Sequence, residues 1–471
     1  MSVPKRLQSE VPMALLPAPI RSSARSLLLA GALLSSLSSA ALGGSIDEDR
    51  SYAAELRNEA YNDADWSPHQ VRRDNSSLRM TALVQSRFMY SDRRSIIGTP
   101  SQNLQTIGFS LPRVQLTLDG TIVNSQLTYK LTMDFGDAEL GRGRGSNPQV
   151  PGGTGSPVLL DAYAQYNFEG KRDGYYLKAG QFKHVMHTEE AVEAQYQLAV
   201  ERSLTNEFFN LGYTQGVALG RVNRDWAWEV SINDGGRYLS SREIANSSIT
   251  NGNEADFAIA GRLDWKLKGG WEQFVDFTSF QGTQEALKVG AGMFWMLGGD
   301  TNPGGYVPPL LVPQLIRAEV FAWTVDAQWE GDGWNLFAAA MGNYIDWQFV
   351  GQQELYISNY GFVIQGGMFV MDKSELFARV DALWYDDTLS TGFGVRQAEP
   401  SVIYTIGWNY YLIPESHAAK FSVDFGYAPR DTAGLAAGFT TSETLPDPTV
   451  TGFIGGSNAE YVFRAQFQFL F

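Results

Sequence analysis

The chain offers little for bond-making chemistry: it has four histidines and no cysteine. His184 and His187 stand three apart, beside Glu189 and Glu190. An HxxH pair with carboxylates can hold a divalent metal when one rigid face presents both imidazoles. Here the segment reads as a strand end entering a loop, so no metal site is assigned. Hydrolysis would need an activated nucleophile with a base in reach. No GxSxG occurs, and His69 and His417 have no nucleophile motif beside them. No cofactor is expected. What remains is charge. Lys130, Lys178, Arg262, Lys266, Arg379, Lys420 and Arg464 lie on the polar sides of alternating stretches. So do Asp134, Asp161, Glu229, Asp256, Asp264, Glu375, Asp381 and Asp424. Such residues could line a path for ions, and neither sign prevails.

The elements that carry them repeat with period two. In 126–135, Leu127, Tyr129, Leu131, Met133 and Phe135 share one face, and Gln126, Thr128, Lys130, Thr132 and Asp134 share the other. Stretches 225–233, 255–268, 421–427 and 461–471 follow the same scheme. Alternation of this kind marks strands. At roughly ten to fourteen residues they exceed ordinary globular strands and suit a tilted bilayer crossing. Tight connections at 119–122, 169–174, 223–224, 331–333, 372–373 and 414–417 alternate with long Gly/Pro-rich ones at 136–157, 234–254, 299–314, 386–399 and 429–459. Short periplasmic turns and long external loops produce this rhythm in membrane barrels, whereas a soluble sandwich has no reason for it.

Seventeen candidate strands can be drawn, but single-chain bacterial barrels have an even number. Counting 271–281 would put 299–314 on the periplasmic side, so 269–284 is read as a longer periplasmic turn. The fold expected is all-β: a transmembrane antiparallel barrel of about 16 strands, wide enough for an aqueous channel. The segments are 78–91, 108–119, 122–135, 158–169, 174–183, 213–222, 225–233, 255–268, 285–298, 315–330, 334–348, 357–371, 374–385, 400–413, 418–428 and 460–471.

Composition agrees. Charged residues are 18% and aromatics 13% of 471 residues, with 48 glycines and a net charge of −15. The lack of cysteine excludes disulfide scaffolds and thiolate metal sites. The acidity argues against a nucleic-acid partner, and 44% hydrophobic residues argue against disorder. Mean hydropathy of −0.20 is not that of a helical membrane protein. At the N-terminus, Arg21 and Arg25 precede an apolar run over 26–37 and small residues through Ala41. This pattern reads as an export signal over 1–41, cleaved near Ala41. Residues 42–77 are polar, with a short helix expected over 52–61, and read as a periplasmic extension. The barrel is assigned to 78–471, in the outer membrane of a Gram-negative-type bacterium.

The chain ends on Phe467, Phe469 and Phe471, on one face of an alternating strand. This resembles the assembly signal by which bacterial outer-membrane proteins engage the barrel assembly machinery. The middle carries a family resemblance. Gly180-Gln181-Phe182-Lys183 follows a strand; Glu189 comes six residues after Lys183, then Glu201-Arg202-Ser203, then Gly212-Tyr213-Thr214-Gln215-Gly216-Val217. The ordered set resembles the phosphate-selective porin O and P family, and 108–120 looks like its arginine-bearing second strand, with Arg113 in the lumen-lining position. Two details depart from the family: Val185 and Met186 stand where Pro-Phe is usual, and Arg113 follows Pro112 rather than a second arginine.

The resemblance implies a trimeric porin whose third loop folds inward and narrows the pore. That loop would be 183–212, with a helical stretch over 189–199. Lys183, Glu189, Glu190, Glu193, Glu201 and Arg202 are the constriction candidates. For Glu201 and Arg202 the plainer alternative is a pair of salt bridges pinning the loop to the wall. The function expected is passive diffusion of small ions and solutes, with anions such as phosphate as the sharper form. The partners expected are those solutes, outer-membrane lipid and two further copies of the chain. The alternatives are an outer-membrane enzyme and a plugged structural or adhesive barrel.

Overall fold

The computed structural model describes residues 70–73, 76–94, 103–123, 126–136, 158–169, 174–236, 255–298, 315–349, 354–386, 400–430, 452–453 and 459–471. The expected export signal and the helix over 52–61 lie outside the described residues, as does most of each long external loop.

Seventeen strands form in chain order: β1 (Gln70–Arg73), β2 (Ser76–Arg94), β3 (Asn103–Val123), β4 (Leu127–Asp134), β5 (Val158–Asn167), β6 (Gly174–Lys183), β7 (Tyr213–Val222), β8 (Trp226–Asn233), β9 (Phe257–Lys268), β10 (Ala286–Gly298), β11 (Leu315–Gly331), β12 (Trp334–Phe349), β13 (Leu355–Met371), β14 (Ser374–Trp384), β15 (Ser401–Tyr411), β16 (Ala419–Ala428) and β17 (Glu460–Leu470). Each strand from β2 onward pairs antiparallel with the next. β17 returns to β2 through Leu470↔Leu83 to Glu460↔Arg93. The sixteen strands β2–β17 therefore close a barrel with no free seam. β1 pairs with the beginning of β2, Gln70↔Arg79 to Arg73↔Ser76.

The sixteen expected segments correspond to these strands, with ends differing by a few residues. The first turn is the clearest shift. Asp119-Gly120 was expected to turn the chain, but Gly120 sits inside β3, opposite Leu78 and Tyr129. A Cβ there would lie 2.0 Å from the Ser77 carbonyl oxygen, so this glycine serves close strand approach. β3 runs on to Val123 instead, and β4 starts at Leu127. Elsewhere glycine does make the turn: Gly333, between β11 and β12, has φ of +74°, which a side chain disfavours.

The polarity of the barrel is inverted relative to a soluble protein. Val325, Ile364, Ile406, Val217 and Phe467 face outward and are exposed. Arg87, Asp134, Glu375, Asp424 and Arg464 are buried inside. Aromatic pairs lie on the outer face, Tyr427 stacked on Tyr461 at 4.8 Å and Trp329 against Trp334 at 5.1 Å. Exposed apolar bands with aromatic flanks are what lipid requires of a barrel.

Two connections turn inward. The segment 184–212 holds α1 (Thr188–Ala191), a 3₁₀ turn (Ala194–Tyr196) and α2 (Leu204–Phe209). The single helix expected over 189–199 does not form. Carbonyls that would accept its hydrogen bonds are taken by side chains: Gln197 Nε2 donates to Glu189 and Val192 oxygens at 2.9 Å, and Arg202 Nη2 to Val192 oxygen at 2.8 Å. The connection 269–285 is not a strand, as its place in the rhythm required. It contains a 3₁₀ turn, Trp271–Phe274, and places Trp271, Phe274 and Phe277 in buried positions.

The inverted polarity gives a direct prediction. Val325→Arg, near the middle of β11 on the lipid face, should cost about 2–4 kcal/mol. Denaturant unfolding of the protein refolded in lipid vesicles would show it as a lowered midpoint.

Candidate functional site

The site is the barrel interior, and its shape is set by how 184–212 is held. Glu201 is its central anchor. Arg113 donates to both of its oxygens, at 2.7 and 2.9 Å, and Arg87 donates to one at 3.0 Å. Arg87 is itself fixed by Gln466 at 2.7 Å. From β14, further round the wall, Arg379 Nη1 donates to the Glu201 carbonyl at 2.8 Å. Arg464 and Asp424 pair at 2.7 Å, and Asp424 accepts from the Val200 amide at 3.1 Å. Lys420 donates to Gln197 oxygen, Asn409 to Leu198 oxygen, and Arg262 to Met186 oxygen. Strands β2, β3, β9 and β14–β17 therefore all grip one segment, which only a segment inside the barrel permits.

Apolar packing completes the grip on one side. Val192, Tyr196, Leu198, Leu204, Phe208 and Phe209 join Phe337, Met341, Val363, Phe377, Leu383 and Ile403 in one buried cluster. The segment thus lies against β12–β15. The open space lies on the other side, about 1390 Å³ with solvent included. Its wall carries Arg79, Lys130, Lys178, Arg262 and Lys288 together with Asp119, Glu229 and Asp264; Glu193 faces them from the inward segment.

Each of these cations has a carboxylate beside it. Arg79 pairs with Asp119 at 2.7 Å and Lys178 with Glu229 at 2.8 Å. Lys130 lies 2.9 Å from Glu193 and 3.0 Å from Asp161. Arg262 reaches Asp264 at 2.6 Å and Asp326 at 2.8 Å, while Lys288 lies 3.4 Å from Asp264. The cavity wall is a set of neutralised pairs.

The six constriction candidates separate accordingly. Glu193 reaches the cavity. Lys183 is partly exposed and faces Glu190 at 3.5 Å and Glu193 at 3.9 Å. Glu189 accepts from the Ser203 amide and hydroxyl at 2.6 Å. Glu190 accepts from Asn206 at 2.9 Å. Glu201 and Arg202 are buried in the anchoring network. The eight basic candidates all lie inside. Lys130, Lys178 and Arg262 line the cavity; Arg113, Arg379, Lys420 and Arg464 stand behind the segment; Lys266 sits over the Trp271 ring with its ammonium 5.3 Å from the centroid. His184 and His187 do not converge on a metal cluster among the described residues. Their burial pushes both down to about 4.

Sequence reading missed Arg79, Arg87, Lys288, Asp119 and Asp326. The signal was present for the first two. In 78–90, Leu78, Met80, Val84, Phe88 and Tyr90 alternate with Arg79, Gln85 and Arg87, so both arginines had to point inward.

Comparison with known proteins agrees with this picture. The model for "Phosphate-selective porin O and P" matches residues 84–270, which bears out the family resemblance over that stretch. Among curated proteins no sequence matches. An anion-selective porin from Comamonas acidovorans shares the fold at a TM-score of 0.53 and 10% identity, over 84% of this chain and 100% of its own. The outer-membrane channel DcaP of Acinetobacter baumannii does so at 0.51 and 11%, over 86% and 100%.

Two predictions concern the anchor. Glu201→Gln leaves Arg87 and Arg113 buried without their counter-charge, at a cost of about 3–5 kcal/mol. Hydrogen exchange in 184–212 should quicken while the barrel strands stay protected. The second is acid release. His184 and His187 titrate below their ordinary value when buried, so the released segment takes up protons first, and stability is lost as pH falls from about 6.5 toward about 4. Burial alone would raise Glu201, but Arg113 and Arg87 hold it well below the usual carboxylate range. Its contribution is present above about 4.5 and lost below that. Glu189, raised by burial, acts in the opposite sense. Protection factors in 184–212, which allow for the slower intrinsic exchange in acid, should therefore fall on acidification below pH 6.5; protection unchanged at pH 4.5 would refute this.

Proposed function

We propose that the chain is an outer-membrane channel of porin type, similar over 84–270 to the phosphate-selective porin O and P family, and that it passes small ions and solutes with weak charge selectivity. The observation that carries this is the pairing of every cavity cation with a carboxylate, from Arg79–Asp119 to Lys288–Asp264. A strongly anion-binding pore needs cations whose field is not cancelled locally. The family match over 84–270 and the porin-like fold favour a channel over an enzyme. The reading extends to export by a signal over 1–41, a periplasmic extension over 42–77 whose last residues, from Gln70, already form β1 and the start of β2, insertion through the terminal Phe467, Phe469 and Phe471, a lipid-facing outer wall, and a homotrimer.

A second reading, anion preference, is favoured by the family match and by the selectivity named for the Comamonas porin. Planar-bilayer recordings separate the two. The expected result is ohmic current with a reversal potential near zero in a KCl gradient, and chloride current that millimolar phosphate leaves unchanged. A large anion-directed reversal potential with phosphate block would establish the second reading. Silence across many insertions would sink both. Chemical cross-linking in detergent should yield a three-chain species.

A further inference from the structure

We propose that the periplasmic connection 269–285 is a second constriction element, which meets the inward segment 184–212 inside the barrel and sets the lower edge of the solute path. The proposal rests on the channel reading above and adds a size-determining part to it.

The connection lies on the same rim as 332–333 and 372–373, and as the chain end, where Phe471 pairs with Ala82. From that rim it crosses the lumen. At one end Trp271 and Phe274 pack with Tyr176, Val222, Ala227 and Ala286 on the β6–β10 wall, and Trp271 Nε1 donates to Asn223 oxygen at 2.8 Å. At the other end Phe277 lies tilted against Phe337, ring centroids 4.7 Å apart, and Phe280 lies 5.1 Å from Tyr411 and 5.3 Å from Phe369. The crossing is tied along its length. Gln328 donates to Asp276 oxygen at 2.5 Å, Ser279 Oγ to Gly331 oxygen at 2.6 Å, and the Thr278 and Tyr411 hydroxyls lie 3.1 Å apart. His417, from the 412–418 turn, faces the Asp276 carboxylate at 3.1 Å.

A plain turn has no use for three buried aromatic rings or for side-chain ties to β11, β15 and the next turn but two. A strap that must hold its place in a water-filled opening does. The strap also touches the inward segment: the Phe277 amide donates to Tyr196 oxygen at 3.2 Å, and the Tyr196 ring lies 5.0 Å from His417. Phe274 and Val275 line the same cavity as Ala191–Tyr196 do from above, with Lys288 poised 5.6 Å over the Phe274 ring. A solute that clears the loop therefore meets the strap next, and the passage between them is bounded by both.

The test replaces 271–282 by a short Gly-Asn linker and, separately, makes Phe274→Ala with Val275→Ala, which removes bulk at the cavity together with one ring of the strap's anchor. Barrel integrity is checked by heat-modifiable migration. Single-channel conductance and liposome swelling with sugars of graded size are the readouts. Conductance should rise about 1.5-fold or more in the linker variant and less in the double substitution, with larger sugars admitted. Wild-type conductance and sugar cut-off in both variants would overturn the strap's role while leaving the channel reading intact. If the linker variant fails to fold, the double substitution still decides. A wild-type protein that carries no current sinks the channel reading and this one with it.

Discussion

Hydrocarbon supplies no partner for a backbone N–H or C=O, so a chain crossing it with strands must close on itself. The pairing of β17 with β2 meets that demand, and most other features follow from it. Closure leaves one face of every strand to lipid and the other to water. That is why Val325 and Ile364 are exposed while Arg87 and Glu375 are buried. It also creates an interior wide enough to hold water, which the inward segments then narrow.

Filling such an interior is an electrostatic problem. The segment 184–212 crosses a space lined by charges, and its own charges must be met there. Glu201 between Arg87 and Arg113, and Asp424 between Arg464 and the Val200 amide, meet them with short, directed bonds. The apolar cluster around Phe209, Phe337 and Val363 then presses the segment to one wall. The asymmetry is useful: one half of the lumen is packed as a core, and the other half stays open. Charges on the packed side position the loop, while charges on the open side meet the solute.

The same distinction explains how family likeness and local chemistry can point in different directions. A basic residue in the lumen attracts anions only if its field reaches the path. Arg113, Arg379 and Arg464 are turned toward the anchored segment, and Lys178 and Arg262 are matched by carboxylates. Counting lumen cations therefore overstates the anion-attracting power of the pore.

Much of this architecture is legible in the sequence because period two, turn rhythm and strand parity are local or countable. The inward direction of Lys130 or Arg464 follows from alternation, while the sixteen strands and the exclusion of 269–284 from the wall follow from turn rhythm and strand parity. Where local signals mislead, a neighbour supplies the reason: Gly120 reads as a turn until Ser77 shows it to be a point of close approach, and 189–199 reads as a helix until Gln197 and Arg202 occupy its carbonyls. The sequence by itself determined which face each residue takes, since a pleated strand allows only two. Only the tertiary structure decided which cation meets which carboxylate, and that 269–285 crosses the lumen instead of merely turning. Those outcomes depend on residues such as Asp276 and His417, or Glu201 and Arg87, that are far apart in the chain and meet only once the barrel has closed.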